Sequence, residues 1–125
     1  MDFGYTKEQE TLRQEVETFI DNNVSQGLLD EMEGGEEGGR GPEYRDLVKK
    51  VADKGWIGIS WPKEYGGQSG SRIDQYIVEE EFMRRGIAVG GAGSGAPAIL
   101  AAGTEEQKEF FIPGMIRGDI IFALG

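Results

Sequence analysis

The stretch Thr6–Ile20, TKEQETLRQEVETFI, decides the fold class because it carries both a helix start and a helical apolar stripe. Thr6 and Gln9 have the spacing of a capping box, in which each side chain bonds the other residue's backbone amide. The apolar residues that follow recur at helical spacing, at Leu12, Val16, Phe19 and Ile20. The stretch therefore predicts an amphipathic helix from residue 6 to about residue 24.

Similar start and stop signals recur along the chain and predict an all-α fold. Pro42 opens a second helix that Gly55 ends, and Thr104-Glu105-Glu106-Gln107 is a second capping box. The later helices are predicted at 42–54, 71–86, 96–102 and 104–118. We therefore predict an orthogonal or up-down bundle of about five helices. The helix over 71–86 has apolar residues on more than one side, so we expect it to be the most buried.

Three segments need separate predictions. Residues 25–41 end in EGGEEGGRG, directly before Pro42, and are predicted to form an acidic, glycine-rich loop. Residues 55–67 have no clean period and are predicted to form a structured connection packed by Trp56, Ile57 and Trp61. In the last helix we expect Phe110, Phe111 and Ile112 to point inward, with an interruption at Pro113.

Composition excludes several classes of function. The chain of 125 residues has a net charge of −10, which opposes nucleic acid and anionic membranes, and it contains no cysteine and no histidine. Disulfides, thiolate catalysis, histidine triads and the usual zinc sites are thereby excluded. No apolar stretch approaches the roughly 20 residues of a transmembrane helix, and no secretory signal opens the chain. We predict a cytoplasmic location and no metal site.

The chain closes on DIIFALG, residues 119–125, and the apolar run from Ile120 to Leu124 predicts a buried strand. A buried strand needs neighbouring strands, and no earlier segment offers one. We therefore expect its partners beyond residue 125. The predicted organisation is a helical domain over 1–118, followed over 119–125 by the start of a β domain.

Two groups of residues could indicate a binding site, but each also has a structural explanation. Residues 91–96, GAGSGA, fit a dinucleotide-binding fingerprint, but Pro97 and Gly103 leave no long helix after it, so a loop for close packing or for a ligand is the better interpretation. Glu79-Glu80-Glu81 point about 100° apart on a helix and cannot converge on one ion. Ion pairing with Arg84 and Arg85 explains them, and we predict no catalytic residue.

Three ordered motifs carry a family resemblance over nearly the whole chain. They are GWIGISWPKEYGGQ (55–68), YIVEEEFMRRGI (76–87) and GSGAPAILAAGTEEQKEFFIPGMIRGDIIFALG (93–125). Together they resemble the N-terminal helical domain of the acyl-CoA dehydrogenases. The resemblance implies that a middle β domain and a C-terminal helical bundle follow, and that the catalytic base, in most members on that bundle, lies outside this chain.

The resemblance also implies a cofactor, partners and site residues. FAD is the expected cofactor, although this chain alone is not expected to hold it, and an acyl-CoA is the expected substrate. Partners would be an acceptor of the electron-transferring flavoprotein type and further subunits of a homo- or hetero-oligomer. The residues matching the acyl-tail lining are Ser94, Gly95, Ala96, Pro97 and Leu100, and those approaching the flavin are Leu124 and Gly125. A stand-alone helical interaction module without redox chemistry is the alternative.

The small residues of the segment 90–102 leave a question that the sequence does not decide. Glycine and alanine there leave volume for a bulky acyl group, or they permit close helix–helix contact. Both interpretations remain open at this point.

Overall fold

The computed structural model describes residues 4–34, 41–89 and 95–120, and these ranges are helical with no strand. They contain six α-helices and one short 3₁₀ helix at Lys63–Tyr65. The α-helices are α1 Lys7–Asn23, α2 Gln26–Gly34, α3 Pro42–Asp53, α4 Arg72–Met83, α5 Gly95–Ala102 and α6 Glu105–Ile116. The all-α prediction is confirmed, with one helix more than the approximate five.

The predicted helix boundaries are present as hydrogen bonds and backbone angles. Gln9 N donates to Thr6 Oγ1 at 3.1 Å and Thr6 N donates to Gln9 Oε1 at 2.9 Å, which completes the first capping box. The same reciprocal pair forms between Thr104 and Gln107. Gly55, after α3, has φ +77°, a left-handed angle that favours glycine, so the chain turns there as predicted.

The loop predicted over residues 25–41 is wrong for its first part, because Gln26–Gly34 forms α2. Leu28 is 1% exposed and belongs to the core, so burial of one large apolar side chain outweighs the flanking glycines. Glu31 gives α2 a further function: its carboxylate accepts hydrogen bonds from Glu43 N at 3.0 Å and Tyr44 N at 2.8 Å. It thereby caps α3, whose own N-cap glycine has no side chain.

The predictions for the last helix need two corrections. The helix runs without a break through Pro113, and Arg117 N still donates to Pro113 O at 3.0 Å. Phe110 does not point inward, since it is 65% exposed. Ile112 is fully buried, and a residue two positions away on a helix points about 200° from it, so both cannot face the core.

The core forms where α1, α3 and α4 meet the connection that carries both tryptophans. Phe19 of α1 packs edge-on against Phe82 of α4 at 6.2 Å and against Trp56 at 5.2 Å between ring centroids. The connection is packed as predicted, with Trp56, Ile57 and Trp61 all buried. Helix α4 is not buried all round, because three of its apolar side chains are more than half exposed. These are Ile73, Tyr76 and Met83.

The end of α6 is tied to α3 where the chain leaves the helical part. Lys49 Nζ lies 2.7 Å from Asp119 Oδ1, and Arg117 Nε lies 3.0 Å from Asp119 Oδ2. Both contacts hold the pKa of Asp119 below its ordinary value, Lys49 having the larger effect. The predicted strand lies outside the described residues except for Ile120, so the domain division over 119–125 stays a prediction. None of the described helices combines the length and apolarity needed to cross a membrane.

Candidate functional site

A cleft of about 630 Å³ opens between the connection at residues 60–62, helix α4 and helix α5. Its volume lies within the roughly 300–1,000 Å³ of typical small-molecule sites. One of its walls is apolar and the other is polar.

The apolar wall comes from α5 and from the connection before α4. Its residues are Trp61, Pro62, Pro97, Leu100 and Ala101. Trp61 is 4% exposed, so little of its surface reaches the cleft. The ring of Trp61 occupies the space that a side chain at position 58 would need, because a Cβ on Gly58 would lie 2.8 Å from Trp61 Cδ2. The φ of Gly58 is +71°, so both the backbone and the neighbouring ring require glycine there.

The polar wall is a chain of hydrogen bonds that runs from the connection onto α4. Ser60 donates to Gln75 Oε1 twice, from its backbone N at 2.9 Å and from Oγ at 2.6 Å. Gln75 Nε2 in turn donates to Glu79 Oε1 at 3.0 Å. Because both Ser60 groups are donors here, they fix the orientation of the Gln75 amide, with its oxygen toward Ser60 and its nitrogen toward Glu79.

Glu79 is the carboxyl group of this cleft, and its environment disfavours the charged form. Burial raises the pKa of Glu79 above its ordinary value, and the hydrogen bond from Gln75 only partly opposes the shift. No cation lies within ion-pair distance of Glu79 among the described residues. A half-buried carboxyl group in a cleft, paired only with a neutral amide, is a candidate ligand-binding group.

The three consecutive glutamates of α4 have three different surroundings. Glu79 lines the cleft. Glu80 pairs with Arg84 at 3.2 Å, as predicted. Glu81 is 5% exposed and lies 3.7 Å from Arg13 of α1 and 3.8 Å from Arg84. No group of carboxyl side chains within the described ranges is arranged to hold a metal ion.

Arg85, which was predicted to pair with one of these three glutamates, has a different partner. Arg85 Nη2 lies 2.7 Å from Asp21 Oδ1 of α1, so it links α1 to the turn that follows α4. The glutamate-rich segment therefore contributes to the packing of α4 on α1 as well as to the cleft.

The residues expected to line an acyl tail are only partly brought together. Pro97 and Leu100 line the cleft, whereas Ala96 is fully buried in the core. Gly95 is the first residue of α5. The remaining predicted residues, Ser94, Leu124 and Gly125, and most of the GAGSGA segment lie outside the described residues.

Sequence reasoning missed the polar wall. Gln75 and Glu79 are four positions apart, which places them side by side on one helix face, and this spacing was the available signal. Ser60 offered no signal, because its part depends on how the connection folds against α4.

The profile of the acyl-CoA dehydrogenase N-terminal domain matches residues 6–119. The chain belongs to the acyl-CoA dehydrogenase family. This match includes both capping boxes and both walls of the cleft, and it confirms the resemblance drawn from the motifs.

Individual relatives agree with this assignment. The chain is 38% identical over 130 residues to the acyl-CoA dehydrogenase FadE26 of Mycobacterium tuberculosis, with 100% of this chain and 32% of that protein covered. The solved ChsE4-ChsE5 complex from Mycobacterium tuberculosis superposes with a TM-score of 0.73 at 33% identity, covering 97% of this chain and 30% of that chain. The Tcur3481-Tcur3483 steroid ACAD gives a TM-score of 0.74 at 33% identity, covering 97% and 32%.

The similarity covers only part of each relative. The chain spans about a third of the length of the relatives it matches. They confirm the helical fold as that of the N-terminal part of this family of oxidoreductases.

Proposed function

We propose that this chain works as the N-terminal domain of an FAD-dependent acyl-CoA dehydrogenase, and that its cleft is part of the acyl-pocket wall. The observation that carries the proposal is the apolar wall on α5. Pro97 and Leu100, two residues that match the family's acyl-tail lining, both face this cleft. The family match over residues 6–119 supports the reaction class.

In this reaction a base removes the α-proton of the acyl thioester while the β-hydrogen leaves as hydride. FAD, when bound, supplies the hydride acceptor. The described residues bind the acyl tail, because the apolar wall of the cleft offers it hydrocarbon contacts and excludes water from it. We propose that the base lies outside these 125 residues, and that Leu124 and Gly125 approach the flavin.

The assembly and partners of the enzyme follow from the same proposal. Similar solved structures carry the names of two proteins each, which supports a homo- or hetero-oligomer. Electrons would pass to an acceptor of the electron-transferring flavoprotein type, and the reaction would take place in the cytoplasm.

The small residues of α5 differ in burial, which supports one interpretation for each of two positions. Ala96 is fully buried, so its small side chain serves close packing. Ala101 is exposed and lines the cleft, so its small side chain leaves open volume there. One structural relative is named as a steroid ACAD. We therefore propose that the enzyme accepts a bulky, ring-bearing acyl group.

The test uses the complete flavoprotein that carries this domain and the variant Ala101→Leu. Reduction of an electron-acceptor dye is measured with butyryl-CoA and with a ring-bearing acyl-CoA. We expect the KM for the ring-bearing thioester to rise about 10-fold or more while that for butyryl-CoA changes little, because added methylene groups are worth roughly 1–3 kcal/mol in a filled pocket.

Ala102→Leu is the matched control, since Ala102 is an exposed neighbour on α5 that does not line the cleft. It should leave both KM values unchanged. An equal rise in KM for the two thioesters in Ala101→Leu would overturn the proposal that the cleft is part of the acyl-pocket wall. If the complete protein is purified without flavin and reduces no dye with any acyl-CoA, the proposal that it is an acyl-CoA dehydrogenase fails.

A further inference from the structure

We propose that the polar wall of the cleft, Gln75 and Glu79, binds a hydroxyl group carried by the ring-bearing ligand. The inference rests on the proposed function and deepens it, because it assigns the acyl group a chemical feature beyond size. Glu79 would then be a specificity-determining residue.

Gln75 and Glu79 have hydrogen-bonding capacity that no described residue uses. Gln75 Nε2 has two hydrogens and gives one to Glu79 Oε1, so one donor is left over. Glu79 Oε2 has no hydrogen-bond partner among the described residues, so one acceptor is left over as well. The Gln75 oxygen is already bonded twice by Ser60 and offers nothing further of comparable strength.

A hydroxyl group suits a site that offers one donor and one acceptor side by side. Gln75 and Glu79 are one helical turn apart, with their Cβ atoms about 5–6 Å from each other. A hydroxyl group both donates and accepts, so it can donate to Glu79 Oε2 and accept from Gln75 Nε2. A ketone only accepts and leaves the carboxylate without a donor, whereas an ammonium group only donates and meets the Gln75 N–H.

The rest of the ligand that carries the hydroxyl would meet an apolar surface. Opposite Gln75 and Glu79 lies the apolar wall of Pro97, Leu100 and Ala101, which suits hydrocarbon. A site that is mostly apolar with a few placed polar groups is the usual design for orienting a small ligand. The cleft therefore matches an apolar ring system with a hydroxyl at one position.

The same polar wall makes binding depend on pH in a defined direction. Burial raises the pKa of Glu79, and a hydroxyl donor at Oε2 favours its ionised form. Binding of the hydroxylated ligand should therefore weaken as the pH falls and Glu79 takes up a proton. Two further titratable side chains of α4, Arg72 and Tyr76, also line the cleft, and Arg72 forms no ion pair with Glu79. The neighbouring Glu80 is bonded to Arg84.

The experiment measures direct binding to the 125-residue chain with two probes that differ in one hydroxyl group. Lithocholate carries a ring hydroxyl, and 5β-cholanate is the same molecule without it. Dissociation constants come from calorimetric titration, and amide chemical shifts locate each probe. We expect lithocholate to bind about tenfold or more tightly than cholanate, as a hydrogen bond to a charged group predicts.

Glu79→Leu should abolish this preference, and Glu80→Leu, the same change at the next residue, should keep it. Glu79→Gln retains the side-chain volume and is measured in case the leucine variant does not fold, with a reduced preference expected. Equal binding of the two probes to the unmodified chain, or no binding of either, would overturn the hydroxyl site. The dye assay with Ala101→Leu decides the acyl-CoA dehydrogenase proposal independently.

Discussion

The two faces of α4 differ in whether their polar side chains find partners within this chain. Toward α1 the helix presents Phe82, which is fully buried, and Glu81, which lies between two arginines. Toward α5 it presents Gln75 and Glu79, which line an open cleft. The first face is completed by other residues of this chain, whereas the second keeps hydrogen-bonding groups available.

Glu79 and Glu81 illustrate the difference between the two faces of α4. Burial is the largest cause that raises the pKa of each, so both environments disfavour a negative charge. The guanidinium groups of Arg84 and Arg13 oppose this shift at Glu81, but only the neutral amide of Gln75 opposes it at Glu79. A buried carboxyl group with cations serves packing between helices, and one without them is suited to a ligand.

The largest effect is expected on the packed face, from Phe82→Ala. This side chain is fully buried against Phe19, so its loss removes apolar contacts and leaves a cavity. We expect the free energy of unfolding to fall by about 3–5 kcal/mol, measured by urea denaturation followed by circular dichroism.

Tyr76→Ala is the matched control on the cleft face, because Tyr76 is 57% exposed. It should lower the free energy of unfolding by less than about 1 kcal/mol. Similar losses for the two variants would contradict the division of α4 into a packed and an open face.

The second effect concerns the wall opposite α4 and is tested with Gly58→Ala. The φ of Gly58 is +71°, and an added Cβ would meet the ring of Trp61. Gly86→Ala is the control, since φ is +76° there but nothing lies within 4 Å of an added Cβ. Both variants bear the strain of a left-handed residue, about 1–2 kcal/mol.

Only Gly58→Ala also displaces Trp61. We expect its free energy of unfolding, measured by thermal unfolding, to fall by roughly 1–3 kcal/mol more than that of Gly86→Ala. Its tryptophan fluorescence should also change. Equal losses would mean that Trp61 is free to move and that Gly58 does not position the apolar wall.

The helices could be predicted from the sequence because their signals are local. A capping box such as Thr104–Gln107 uses side chains three residues apart, so the residue types alone indicate it. Helix α2 was missed because its stabilising contacts are distant in sequence. Leu28 enters a core made by other helices, and Glu31 caps α3 from twelve residues away.

In the candidate site, too, the parts that depend on contacts between distant residues were not predicted. Pro97 and Leu100 were predicted from the family resemblance, and both line the cleft. The hydrogen bond between Ser60 and Gln75 joins residues fifteen positions apart, so no periodicity indicates it. Ala96 was assigned to the same lining because the sequence did not show that it faces the core while Pro97 faces the cleft.

The smallest expected effect is a change in how stability depends on pH, and it compares Glu79 with Glu81 directly. The folded chain raises the pKa of both carboxyl groups above the ordinary value of 4.5. Between 4.5 and the raised pKa, the folded state therefore holds more protons than the unfolded state. Stability must then fall as the pH rises through this window, and it is regained as the pH falls.

Glu81→Gln and Glu79→Gln should each flatten this decline, because glutamine does not titrate. Glu81→Gln leaves Arg13 bonded to Glu10 and Glu17, and Arg84 bonded to Glu80, so it creates no unpaired cation. Urea denaturation between pH 4.5 and pH 7.5 measures the slope, with the exposed Glu106→Gln as control. Lithocholate should change the slope more than cholanate, which carries the same carboxyl group, in the unmodified chain and in Glu81→Gln. In Glu79→Gln the two probes should have the same effect, since glutamine has no proton to lose. A difference between the probes that persists in Glu79→Gln would place the hydroxyl elsewhere and remove the distinction between the two faces.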